Sequence, residues 1–353
     1  MSDSRTSVAV VGLGYWGPNR LRVLDQLESA EVRWLCDLDD DRLSRAARQH
    51  RDANATSELA EALADPELDA VVISTPVFSH YALASQAIAA GKHVFVEKPI
   101  AASSGEAADL VAQAERAGVR LMCGHTFVYS PPVQRVKEII DSGELGDLYF
   151  VSSSRVNLGP YRSDVSVIFD LGPHDISILR YWLGASPARV GAVGRAVINP
   201  DVADVAFIDL TFPGGLLANV ELSWLSPSKL RRTVISGSRK MLVYADGSPE
   251  PIRIYDSGIE FHDTEDYGSY QLSYRTGDIV SLRVDATEPI VAELEDFIAS
   301  IQTGSEPRSD LALTLDVLRC VEAAERSMEE GGAPVDLTPT PTGGEATTGA
   351  ASR

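Results

Sequence analysis

Residues 7–37 read SVAVVGLGYWGPNRLRVLDQLESAEVRWLCD and hold, in order, a strand, a glycine-rich turn, a helix and a second strand that ends in an acid. Val8, Val10 and Val11 form the short β-branched run expected of a strand buried on both faces. It leads directly into Gly12, Gly14 and Gly17 of a GxGxxG turn that also carries Tyr15 and Trp16. The first glycine permits the tight turn, the second lets backbone approach a pyrophosphate, and the third lets a helix from about Pro18 pack on the strand with its amides facing the phosphates. After the second apolar run, Val32 to Cys36, comes Asp37, placed to accept hydrogen bonds from a ribose diol. A 2′-phosphate would be repelled there, so the segment predicts NAD in preference to NADP.

A chain of 353 residues with 44% hydrophobic residues predicts two globular domains. The N-terminus shows no basic region followed by a long apolar run, and the cysteines at 36, 123 and 320 have no CxxC spacing, which predicts a cytoplasmic protein with reduced thiols. A net charge of −20 disfavours nucleic acid or an anionic membrane as partner. The six histidines are scattered and none lies in HxxxH or HExxH spacing, so no metal is expected.

Downstream, Asp39–His50 and Glu58–Ala64 read as helices. Ala70–Ser74, Lys92–Val96 and Val119–Cys123 read as buried strands alternating with helices from His80 and over Ser103–Ala117. This order predicts a doubly wound α/β domain over residues 1–124, with ligands at the carboxyl ends of the strands, where Ser74, Thr75, Glu97 and Lys98 fall. Residues 125–337 change character: a helix around Val133–Ile140, a strand over Leu148–Val156, a helix from about Pro173 to Gly184, six β-rich runs between Ala188 and Tyr255, then helices over Pro289–Gln302 and Leu311–Glu329. That pattern predicts an α+β domain with a large, mainly antiparallel open sheet whose uncovered face buries itself in a homodimer or homotetramer. Residues 338–353, rich in Pro, Thr, Gly and Ala, predict a disordered tail.

GLGYWGPN (12–19), TP (75–76), EKP (97–99), GHTF (124–127) and DLGPHDIS (170–177) together resemble the Gfo/Idh/MocA family of NAD(P)-dependent sugar and polyol oxidoreductases over residues 7 to about 337. The resemblance implies an N-terminal Rossmann domain and a C-terminal domain with a large open sheet. GYWGPN, with GELGDLYFVSSSRVNLGPYRSD (143–164) and PHDISILRYWLG (173–184), looks most like nucleotide-sugar dehydrogenases acting at carbon 3 of a hexose. A 3-ketosugar reductase and an inositol dehydrogenase would use the same residues. A regulatory NAD-binding protein that has lost its chemistry is the alternative of another class, and the joint presence of Lys98, Asp170 and His174 argues against it.

Hydride transfer needs a group that exchanges the hydroxyl proton. Lys98 follows a strand and precedes a proline, so its ammonium is expected to reach the reacting oxygen, and the resemblance places this lysine in the active site. Asp170 and His174, four apart, would share one side of a helical turn; the resemblance implies that His174 is the proton acceptor and Asp170 its partner. With Lys98 lowering and Asp170 raising its pKa, His174 is expected to titrate near neutrality, so that oxidation rises with pH there. Ser177 stands where many members carry a second aspartate, which breaks that part of the substrate-contact pattern. His125, Arg155, Asn157 and Tyr161 are further substrate-binding candidates, and Lys229, Arg231 and Arg232 form a basic cluster able to hold a diphosphate or to protect a sheet edge.

Overall fold

The computed structural model describes residues 5–159, 161–162, 165–263, 270–285 and 287–337. The first half alternates strand and helix as its sequence pattern requires: β1 (Thr6–Val11), α1 (Gly17–Gln26), β2 (Ala30–Cys36), α2 (Asp40–Gln49), β3 (Asn54–Thr56), α3 (Leu59–Leu63), β4 (Ala70–Ile73), α4 (His80–Ala89), β5 (His93–Glu97), α5 (Ser104–Ala117) and β6 (Leu121–Gly124). All six strands are parallel, in the order β3-β2-β1-β4-β5-β6. The order reverses between β1 and β4, which opens a crevice at their carboxyl ends. Gly12 and Ser74 stand on its two lips.

The second half opens with α6 (Pro131–Asp141), β7 (Leu148–Leu158) and α7 (Val167–Leu183), then β8 (Arg189–Arg195), β9 (Val205–Thr211), β10 (Leu217–Ser223), β11 (Leu225–Gly237), β12 (Met241–Ala245), β13 (Ile252–Asp263) and β14 (Tyr270–Leu282). Helices α8 (Pro289–Thr303) and α9 (Leu311–Glu329) and the short β15 (Val335–Asp336) end the described chain. The sheet runs β14-β13-β12-β11-β7-β10-β9-β8-β15 and is antiparallel at every pair except β7 with β10. Val151, Ser153 and Arg155 of β7 are buried beneath the helices, with Ser153 and Arg155 both bonded to Asp175 of α7. Phe150, Leu217, Phe207 and Val193, on the opposite face, are 47%, 56%, 43% and 54% exposed. The expected tail, residues 338–353, lies outside the described residues.

One apolar core joins the halves. It runs from Val8, Phe95 and Met122 of the parallel sheet through Leu294 and Phe297 of α8 to Val151, Val220 and Ile235 of the second sheet. Phe297 meets Phe95 edge-on at 5.6 Å, and burying each ring contributes roughly 1.5–3 kcal/mol. The last helices therefore hold both sheets rather than the second alone.

Two sequence readings need correction. Helix α7 starts at Val167, not near Pro173, because the Ser166 side chain accepts the Phe169 amide at 3.2 Å and caps a helix that carries Pro173 in its interior. Strand β14 was not anticipated. Its residues Tyr270–Thr276 pair with Ser257–Asp263 of β13 as a ribbon with no third strand beside it among the described residues, and residues 273–282 are exposed or half-buried, without the alternation that marks a strand against a core.

Candidate active site

The turn after β1 tolerates only glycine at two places. Gly12 has φ +89°, and a Cβ there would lie 2.8 Å from Thr75 Cγ2 and 2.9 Å from the Ser74 carbonyl. A Cβ on Gly17 would come within 1.9 Å of the Gly12 carbonyl oxygen, so the helix can sit this close to the turn only without a side chain. Helix α1, like α3, α4, α6 and α8, has no side-chain cap, and it carries a proline in its first turn. What sets α1 apart is that it starts from the glycine turn lining the cavity, where its free amides suit an anionic group.

Between this turn and Ser74–Thr75 lies a cavity of about 940 Å³ that reaches Asp37 at one end and Glu97 at the other, with Tyr15 and Trp16 on its rim. Asp37 Oδ2 accepts the Leu13 amide at 2.6 Å and Oδ1 the Asp39 amide at 2.8 Å, which fixes the carboxylate at the end of β2 while leaving a lone pair on each oxygen. Close backbone approach, an open helix N-terminus and a fixed acid fit a dinucleotide. Glu97 lines the cavity, but its carboxylate is engaged by the guanidinium of Arg20.

The fixed Asp37 carboxylate predicts cofactor choice. In Asp37→Ala, NAD affinity should fall by about 10- to 100-fold, the 1.5–3 kcal/mol of a charge-assisted hydrogen bond, and NADP should lose less. The substitution also frees the Leu13 amide and loosens the turn for both cofactors, so the readout is the ratio of the two dissociation constants. An unchanged ratio in parallel titrations would remove Asp37 from the ribose site.

At the far end of the crevice, Lys98 Nζ donates to the Asp170 carbonyl at 2.9 Å and lies 3.9 Å from Asp170 Oδ1. Burial lowers the Lys98 pKa from its ordinary value, with Asp170 and Glu97 opposing that shift. The Asp170 carboxylate also accepts Trp224 Nε1 at 3.3 Å and has Arg162 Nη1 at 3.8 Å. Trp224 in turn stacks edge-on against Tyr161 at 5.2 Å, and the Tyr161 hydroxyl accepts the Asn199 amide at 3.2 Å.

His174 lies one turn beyond Asp170 on α7, edge-on to Phe127 at 5.0 Å. Burial, then the charges of Lys98, Arg155 and Arg231 and the His125 ring, holds its pKa well below the ordinary histidine value. The expectation of a neutral-pH titration balanced by Asp170 is therefore wrong. Asp170 turns its carboxylate to Lys98, Arg162 and Trp224, and among the described residues no hydrogen bond joins it to His174. His125 is buried too, and burial followed by Lys98 brings its pKa down to about 3. Both imidazoles are neutral at physiological pH.

Arg155 stands behind this pair, ion-paired to Asp175, with its guanidinium 4.6 Å above the Phe127 ring. Arg231, its register partner on β11, lies 5.6 Å from the same ring and bonds Asp246 at 2.8 Å. Asn157 is one further step along β7 on that side, partly exposed. Arg232 is exposed and, as the next residue of the strand, points to the opposite face from Arg231. Arg231 and Arg232 thus do not share one face, whereas Lys229 is exposed on the irregular stretch of β11 before Leu230. Phe127, Arg162 and Trp224 belong to the site although the sequence reading did not single them out; Arg162 adjoins Tyr161, a signal that was present.

Residues 6–125 match the family described as "Oxidoreductase family, NAD-binding Rossmann fold", and residues 133–243 match the GFO/IDH/MocA C-terminal domain. The chain is 30% identical to a D-apiose dehydrogenase of Paraburkholderia graminis, over 92% of this chain and 88% of that protein. It is 27% identical to a UDP-N-acetylglucosamine 3-dehydrogenase of Acidithiobacillus ferrooxidans, over 89% of this chain and 96% of the other. Among solved structures, GenD2 from gentamicin A biosynthesis in complex with NAD superposes with a TM-score of 0.80 at 26% identity, covering 95% of this chain and 97% of GenD2. With both halves matched and the glycine turn, acid and strand-end residues in place, the chain belongs to the Gfo/Idh/MocA family of NAD-dependent oxidoreductases.

Proposed function

We propose that this enzyme interconverts a secondary alcohol and a ketone on a sugar, with carbon 3 of a nucleotide-linked hexose as the first substrate to test. The observation that carries the reading is that Lys98, next to the cavity-lining Glu97, donates to the Asp170 carbonyl one turn before His174 on the same helix, so that its charge acts on an imidazole that its surroundings hold neutral. When bound, NAD supplies the hydride acceptor. His174 takes the hydroxyl proton, and Lys98 holds the reacting oxygen by a charge-assisted hydrogen bond as its negative charge develops. Asp170 fixes Lys98 through its carbonyl and gathers Arg162 and Trp224 beside the substrate opening. The name of the Acidithiobacillus relative favours a nucleotide sugar, whereas the D-apiose dehydrogenase and an inositol 2-dehydrogenase of Saccharopolyspora erythraea, 32% identical over 61% of this chain, favour free sugars and polyols. A panel of UDP- and dTDP-hexoses, free aldoses and inositols, read at the reduced nicotinamide band, separates them. Turnover of free sugars alone would overturn the nucleotide-sugar assignment, and NAD binding without turnover of any would favour a regulatory role.

The assembly belongs to the same proposal. The uncovered sheet face carries two exposed register pairs, Phe150 with Leu217 and Val193 with Phe207, and such a face is expected to be buried against a second copy. Sedimentation should give at least twice the 38.0 kDa of the chain. A monomer at micromolar concentration would contradict this.

A further inference from the structure

Beneath the crevice, Arg20 of α1 is 1% exposed and lies between two carboxylates, Glu97 at the end of β5 and Glu293 of α8. The Glu293 side chain is fully buried; it meets Arg20 Nη1 at 3.0 Å, and Thr126 Oγ1 of the GHTF segment stands 3.0 Å from each of its oxygens. The Arg20 guanidinium also covers the Phe95 ring at 4.3 Å. Space for the ion pair is kept by Gly124, where a Cβ would lie 2.9 Å from Arg20 Nη2 and 3.2 Å from Glu97 Oε2. Four separated segments of the chain meet at one guanidinium. They are the helix that follows the glycine turn, the strand that ends beside Lys98, the loop bearing His125 and the helix that returns from the second sheet.

A buried charge cluster of this kind is poor as a source of stability, since desolvation offsets its attraction, but it holds its members in one geometry. Its position gives that geometry a use. Glu97 is the residue before Lys98, and its carboxylate is also one of the charges that keep the lysine protonated. We propose that Glu293 is a positioning residue for Lys98: through Arg20 it fixes the Glu97 carboxylate, and so ties the lysine of the crevice to the helix returning from the second sheet. Burial, opposed by Arg20 and reinforced by Glu97, pushes the Glu293 carboxyl up to about 7.

This inference rests on the proposed role of Lys98, and its test separates the two. In the full-length apo protein, Lys98 and Lys92 are acylated with a small amine-reactive ester and the rates followed by peptide mass spectrometry in wild type, Glu293→Gln and Glu293→Ala. Lys92 is a buried lysine held by the Asp65 and Leu68 carbonyls, away from the cluster. Glu293→Ala leaves Glu97 as counter-ion to Arg20, so the fold is expected to persist, while Glu293→Gln retains a hydrogen bond to Thr126 or Arg20. Glu97 keeps its ion pair with Arg20, but the guanidinium loses its tie to α8, so the pair and the lysine that follows it are looser. Labelling of Lys98 should rise at least fivefold in Glu293→Ala and by less in Glu293→Gln, with Lys92 unchanged and kcat lowered roughly 10- to 100-fold in the alanine variant. Unchanged Lys98 labelling, or an equal rise at Lys92, would overturn the positioning role. Full turnover by Lys98→Met would instead overturn the role of the lysine and leave the labelling result standing.

Discussion

His174→Ala is expected to lower kcat for alcohol oxidation by roughly 10² to 10⁴, the contribution of a positioned general base, while NAD binding stays within about threefold of wild type. Its pH profile is the more specific readout. The competent form of His174 is the neutral one, and burial together with Lys98, Arg155 and Arg231 depresses its pKa well below 6.5. Neutral imidazole therefore persists as pH falls through 6.5, and oxidation should be level through neutrality and decline only in the acid range. On the basic side, activity should be lost as pH rises, before pH 10.5 is reached, because the ammonium of Lys98 is the competent form and its pKa is lowered. In His174→Ala the acid limb should vanish and the basic limb remain. Near-normal turnover with the acid limb intact would assign the base elsewhere. Tyr161, stacked on Trp224 beside Asp170, is the next group to test.

How much of this was legible in the sequence follows from which forces act locally. β1, β4 and β5 are buried on both faces, so each reads as an unbroken apolar run, and the glycine turn with Asp37 reads directly because its backbone geometry admits few other residues. Lys98, Asp170 and His174 were singled out from the family motifs in which they sit. Their partners were not, because these come from distant strands. Asp170 meets Trp224, 54 residues further on, and the cations around His174 stand just after β5 and on β7 and β11. The i, i+4 spacing of Asp170 and His174 suggested a dyad, yet a position on one helix face does not fix where a short carboxylate turns when a lysine, an arginine and an indole N–H compete for it. The Arg20 cluster escaped sequence reading for the same reason. Glu293 lies 273 residues beyond Arg20, and nothing local distinguishes it from a surface acid of α8.

Removing the ammonium tests the coupling between the two proposed reacting groups. Lys98→Met keeps the length of the side chain and takes away its charge and donor, and kcat should fall by about 10² to 10³, the usual cost of losing one donor to a developing oxyanion. NAD should still bind, since Asp37, the glycine turn and the uncapped end of α1 are untouched. The same substitution also acts on His174. Lys98 is the first charge, after burial, that holds that imidazole neutral, so without it the imidazolium becomes easier to form and the pKa rises. The residual activity of Lys98→Met should therefore lose its low-pH portion sooner, with the acid limb displaced toward neutrality relative to wild type. A double variant with His174→Ala should show no such limb, and its loss should be less than the product of the single losses, because the two groups act on one oxygen. If Lys98→Met leaves the acid limb where it was, the ammonium is not close enough to His174 to share the reacting hydroxyl, and the two must serve different atoms of the substrate.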